Sequence, residues 1–215
     1  MPAVITIDGP AASGKSSIAK LVAKKLGYTF VGTGNMYRAF TWAVLNRGID
    51  PNDASAVVAV LPSILFECPV SDGQTHVRLD GHDLTSDQLN SDAVNAAVSL
   101  VARVPEVRTR LVADQRALIR LGSLVMEGRD IGSVVFPDSP FKIYIDASEE
   151  VRSARRRAQG QADNLAERDR IDKARKSSPL VIPEGATIID NSAITLDEAV
   201  QQVIEALQSK HLQGA

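Results

Sequence analysis

Apolar positions change period along the chain, and the changes mark out its elements. Residues 3 to 7, "AVITI", form a short β-branched run that stops at a glycine-rich turn. Directly after it, Ile18, Leu21, Val22 and Leu26 fall on one face of a helix over 16 to 26. Short apolar runs recur at 124–126, 142–146 and 187–190, separated by helix-like stretches around 35–47, 106–120, 148–158 and 195–208. Such alternation predicts an α/β fold, a core of about five parallel strands covered by helices. Two capping boxes mark helix starts, Thr195 with Glu198 and Asn164 with Glu167. Residues 64 to 84 differ: "ILFECPV" and "THVRLDGHDL" flank a Ser-Asp-Gly turn. That pattern predicts a hairpin, part of a lobe inserted at about 60 to 100.

At 215 residues the chain fits one domain with such an insertion. Its 44% hydrophobic and 23% charged residues are ordinary for a globular protein, and a net charge of -2 argues against a protein that coats nucleic acid or an anionic membrane. The single Cys68 allows no disulfide within the chain and is expected to be an unreactive core thiol. "MPAVITIDG" has no basic start followed by a long apolar run, and no stretch is long and apolar enough to cross a membrane, so a cytoplasmic protein is expected.

The candidate chemistry begins where the first strand ends. Gly9, Pro10, Ala11, Ala12, Ser13, Gly14, Lys15 and Ser16 fit G-x-x-x-x-G-K-[ST]. Glycines let successive backbone N–H groups converge on one anion, and the following helix offers its positive end. Lys15 is then placed to reach the outer phosphates and Ser16 to ligate Mg²⁺. Switches, motors and kinases all use such loops. The chain has no D-x-x-G after the loop and no N-K-x-D, which argues against a GTPase switch.

Arginines narrow the class. Phosphoryl transfer asks a protein mainly to align two substrates and neutralise spreading charge, so a small-molecule kinase needs cations beyond the loop. "GTGNMYRA" places Tyr37 and Arg38 near a helix start, and "MEGRDIGS" places Arg129 and Asp130 beyond the carboxyl end of a strand, where α/β sheets bind ligands. In "ERDRIDKARKSSPL", Arg168, Asp172 and Arg175 share one helical face. Read alone, that segment is a solvated face of ion pairs, Arg168 with Asp172 and Asp169 with Lys173. Across 152 to 176, however, nine cations meet four carboxylates, which suggests a lid over polyphosphate near 155–176. A nucleic-acid patch is the rival, weakened by the absence of an aromatic residue for base stacking.

With these segments assembled, the chain resembles the bacterial cytidylate kinase family of P-loop nucleoside monophosphate kinases. The resemblance runs through "ITIDGPAASGKSS", "TGNMYRA", "NAAVSLVARVPEVR", "EGRDIGSVVFPDSPFKIYIDAS" and "ERDRIDKARKSSPL". It implies transfer of the γ-phosphoryl group of Mg·ATP to CMP or dCMP, by a monomer with no nucleic-acid or membrane partner. On the donor side it implies Gly9 through Ser17 together with Arg155. On the acceptor side it implies Thr33, Tyr37, Arg38 and Arg129 around the phosphate and sugar, Asp172 at the ribose hydroxyls, and Ser99, Arg108 and Asp130 at the cytosine. Lys15, Arg168 and Arg175 would attend the transferred group, and Glu127 a water on Mg²⁺, although an ordinary strand-end carboxylate is an equal reading of Glu127.

Three features depart from the family pattern: Gly32 in place of an acidic residue, Asn35 in place of a small apolar one, and a short stretch between Arg157 and Glu167. A kinase for another small acceptor and a non-catalytic nucleotide switch stay open at this stage. His76, His82 and His211 are too scattered for a metal site, and Trp42 reads as core.

Overall fold

The structure is a computed structural model describing residues 2–158, 165–175 and 178–212. Its central sheet contains five parallel strands: β1 (Val4–Asp8), β2 (Thr29–Gly32), β8 (Leu124–Gly128), β9 (Phe141–Asp146) and β10 (Thr187–Asp190), in the spatial order β10-β9-β1-β8-β2. The crossovers run through α1 (Lys15–Leu26), α2 (Thr33–Asn46), α6 (Pro105–Ala117) and α7 (Glu149–Ala158), and α9 (Leu196–Ser209) closes the fold. β1 and β8 are buried throughout, which explains why they read as short continuous apolar runs rather than as alternation. Strand β2, hidden in "YTFV", is the fifth parallel strand.

The stretch from 54 to 102 contains α3 (Ala54–Val60), five two-residue strands, α4 (Ser86–Leu89) and α5 (Asp92–Ala102). The single expected hairpin is two. β4 (Val70–Ser71) and β5 (Gln74–Thr75) turn at Asp72–Gly73 and join the edge of the central sheet, Phe30 pairing with Gln74. β3 (Phe66–Glu67), β6 (Arg78–Leu79) and β7 (His82–Asp83) form a separate sheet. The reason is a second turn signal, Asp80–Gly81, both residues at positive φ, which ends the strand at Leu79.

Two apolar layers hold the site in place. Ile5, Ile7, Ile18, Val22, Ile143 and Ile145 pack the sheet against α1 and α9. On the other side, Tyr37 and Phe40 of α2 share a core with Val57, Leu79, Val98, Val107 and Leu111, and Trp42 packs against it half-buried. Each fully buried Ile or Leu contributes about 1.5–3 kcal/mol, so a few such contacts suffice to fix α2. The Thr195–Glu198 capping box forms as expected. Asn164 lies outside the described residues. α8 (Leu165–Ala174) docks over α5. Cys68 is partly buried, and burial, helped by the charge of Asp114, pushes its thiol up to about 12, an unreactive state. Among the described residues no helix is long and apolar enough to cross a membrane.

Candidate active site

The loop after β1 wraps around the start of α1. Gly14 adopts φ 95, and a Cβ there would lie 2.4 Å from Asn191 Nδ2, so no other residue fits. The loop's carbonyls are held from behind. Arg155 donates to Ser13 O at 3.1 Å and to Asn191 O at 2.8 Å, while Asn191 Nδ2 donates to Ser13 O at 2.8 Å. Arg152 donates to Ala11 O at 3.3 Å. Carbonyls satisfied on one side leave the loop's N–H groups free to face the other, the arrangement an anion requires. Lys15 is buried, donates to Pro10 O at 3.1 Å, and lies 3.9 Å from Glu127 Oε2.

Two cavities meet at this loop. One, of about 370 Å³, lies over Gly14, Ser17, Arg155, Asn191 and Ile194. The other, of about 280 Å³, opens toward α2, α5 and α6. Ala12, Lys15, Ser16 and Arg156 line both. A phosphate chain entering from each side would therefore converge on Lys15.

The second cavity gathers all of the expected acceptor residues. Thr33 donates to Glu127 O at 2.8 Å. Arg38 is held by Leu89 O at 3.1 Å and Asn95 Oδ1 at 2.8 Å. Ser99 is buried in the wall. Arg108 donates to Asp130 Oδ2 at 2.5 Å with both side chains 4% exposed, and its guanidinium lies 5.2 Å from the centre of the Tyr37 ring. Burial pushes the Tyr37 hydroxyl up to about 12, so it stays protonated at neutral pH. Arg129 donates through Nε to Asp172 at 2.9 Å and through Nη1 to Gly9 O at 3.1 Å. Arg175 pairs with the other oxygen of Asp172, and burial lowers its pKa.

The reading of 167 to 175 as a solvated face is corrected. Asp169 and Asp172 are buried rather than solvated: Asp169 pairs with Arg152 at 2.5 Å, and Asp172 with the distant Arg129 as well as with the local Arg175. The part of the face that carries Asp172 and Arg175 turns inward. The side chains of Arg168 and Lys173 lie outside the described residues. Arg155 sits at the first cavity and not at the second.

Asp8, Arg152 and Asn191 escaped the sequence reading. Asn191 had a signal, since it follows the carboxyl end of a parallel strand, and Asp8 stands directly before the loop. Of the departing residues, Asn35 lines the second cavity, and a Cβ at Gly32 would meet Phe30 Cζ at 3.3 Å and Glu127 Oε1 at 3.5 Å. An acidic side chain at position 32 would thus start beside a second carboxylate.

A parallel α/β sheet with this loop and its ring of arginines belongs to a P-loop phosphotransferase. The fold agrees with a solved gluconokinase from Sinorhizobium meliloti 1021, at a TM-score of 0.53 and 15% identity over 97% of this chain and 93% of that one. The particular family follows from sequence. The cytidylate kinase family model matches residues 5–209, and the chain belongs to that family. It is 43% identical over 213 residues to a cytidylate kinase of Pelotomaculum thermopropionicum, with 93% of each chain covered. It is 41% identical over 219 residues to one of Mycolicibacterium paratuberculosis, with 96% of each covered.

Proposed function

We propose that the enzyme transfers the γ-phosphoryl group of Mg·ATP to CMP or dCMP, giving ADP and the corresponding diphosphate. The observation that carries this reading is the buried Arg108–Asp130 pair in the wall of a cavity that also holds Arg38, Arg129 and Arg175 and opens onto Lys15. A carboxylate accepts from the 4-amino group of cytosine, whereas uracil would turn a carbonyl oxygen toward the same anion, and that repulsion costs more than a missing hydrogen bond. Ser99 and Arg108 complete the base-reading set.

In this reading the donor phosphates lie in the loop Gly9 to Ser17, on the N–H groups of its residues other than Pro10, and the adenosine side occupies the cavity bounded by Arg155 and Asn191. Arg38 and Arg129, with Thr33 and Tyr37, hold the acceptor phosphate, and Asp172 takes the ribose hydroxyls. An acceptor phosphate oxygen attacks the γ-phosphorus in line, and the bond to the β-phosphate oxygen breaks to release ADP. The attacking oxygen is already an anion, so no general base is needed. Lys15, Arg168 and Arg175 neutralise charge as it spreads over the transferred group. One hydroxyl and one carboxylate beside a triphosphate suit Mg²⁺, which keeps several waters and few protein ligands: Ser16 would bind it directly and Glu127 through a water. Bound there, Mg²⁺ would supply charge neutralisation on the phosphates.

The test is ADP release from Mg·ATP with CMP, dCMP, UMP, AMP and GMP against a control without acceptor. Fast turnover confined to CMP and dCMP is expected. Slow release that no monophosphate accelerates would make the protein a hydrolase or a switch and end the acceptor assignment.

A further inference from the structure

Strand β1 ends in a side chain that neither the phosphate loop nor the acceptor cavity uses. Asp8 is 0% exposed, and its two oxygens accept from the backbone N–H groups of Ile131 and Gly132, each at 2.7 Å. Those amides directly follow Arg129 and Asp130 and open a π-helical turn, Ile131–Val135. β1 and β8 are parallel neighbours with Asp8 beside Gly128 in register, so the residue preceding the phosphate loop grips the turn at the end of the adjacent strand. Arg129 closes the same junction from the other side by donating to Gly9 O.

The turn is shaped for this grip. A Cβ on Gly132 would lie 2.7 Å from Thr6 Oγ1 and 3.1 Å from Asp8 Oδ2, so the backbone approaches β1 only because that residue has no side chain. A carboxylate is the one group of its size with two acceptors for two adjacent donors. Asparagine would offer a single oxygen and set an N–H against an N–H.

We propose that Asp8 is a positioning residue for acceptor recognition. It fixes the turn after β8 so that Arg129 points to Gly9 and Asp172 while Asp130 points to Arg108, and it sets both against the donor loop. The inference rests on the acceptor assignment made above. Lys15 and Asp130 are the charged groups facing Asp8; burial lifts its carboxyl to about 7, the two amides and Lys15 oppose that rise, and Asp130 adds to it. Holding a carboxylate in so unfavourable a place is consistent with a task that an apolar residue could not perform.

Asp8→Asn tests this through a split between the two substrates. Measured against whichever monophosphate the wild type turns over, the acceptor KM is expected to rise about tenfold or more. The ATP KM should stay within about twofold, and preference for cytosine over uracil should fall. Equal rises in both KM values, or a lower melting temperature with both unchanged, would overturn the proposal. Gly132→Ala displaces the amide while leaving Asp8 intact, and the same split is expected. Should neither variant fold, hydrogen exchange on the wild type decides: the amides of Ile131 and Gly132 should be the slowest of residues 129–135, and exchange as fast as at exposed amides refutes the grip. Failure of the cytidylate reading would show in the wild-type acceptor panel, and failure of this inference only in the variant ratio or the exchange data.

Discussion

At the scale of single residues, the site rests on charges held where water cannot reach them. Asp130 and Arg108 are almost wholly buried, so each depends on the other, and Asp130→Asn leaves Arg108 beside a neutral group. The expected outcome is a fall of about tenfold or more in the CMP-over-UMP ratio of kcat/KM, because the amide can turn its N–H toward the uracil carbonyl. An unchanged ratio would remove Asp130 from base reading. Asp8 makes a separate prediction about stability. Its folded-state pKa of about 7 lies above the ordinary 3.8, so the native state holds the proton more tightly than the unfolded chain does. The stabilisation from that proton is complete below about pH 4 and lost as pH rises through about 7, a swing on the order of 4 kcal/mol. Urea midpoints measured at about pH 5 and about pH 8 should show the wild type weaker at the higher pH, and Asp8→Asn should flatten the difference. A wild-type midpoint that does not fall would contradict the raised pKa.

At the scale of elements, α8 is tied down by ion pairs that reach across the fold. Arg152 of α7 binds Asp169 and also Ala11 O of the phosphate loop, so one side chain joins α8 to that loop. Asp169→Ala should lower the melting temperature by roughly 6–12 °C, the equivalent of about 3 kcal/mol, and raise the ATP KM, since Arg152 loses its anchor. Calorimetry and steady-state kinetics on the same preparation check both; no change in either would show that the pair does not anchor α8. These pairs also mark where the sequence stops being readable. The parallel core was legible because each strand is a short apolar run followed by a helix-period stretch, and the phosphate loop because its spacing is local. The Asp169–Arg152 and Asp172–Arg129 pairs span 17 and 43 residues, and no local periodicity reveals whether a charged helical face meets solvent or a neighbour. For the same reason nothing in the sequence singles out Asp8, whose partners lie 123 and 124 residues away.

At the scale of the whole molecule, function follows from two cavities that share one lysine. The cavity proposed for the donor lies between the loop, α7 and the end of β10, and the one proposed for the acceptor between the loop, α2, α5 and α6. Ala12, Lys15, Ser16 and Arg156 belong to both, so the two ligands would be neighbours along a single line of phosphates rather than rivals for one site. A molecule carrying adenosine at one end and cytidine at the other, joined by five phosphates, should then fill both cavities at once. Because its second half binds at a high effective concentration, its Kd is expected to lie roughly 10²-fold or more below that of ATP or CMP alone. Titration calorimetry measures this directly, and the variants assign the two ends. Asp130→Asn should weaken the tethered ligand while leaving ATP affinity unchanged; Lys15→Ala should weaken both. A tethered ligand no tighter than ATP would mean that the cavities cannot be occupied together, and direct in-line transfer between them would no longer explain the arrangement of this site.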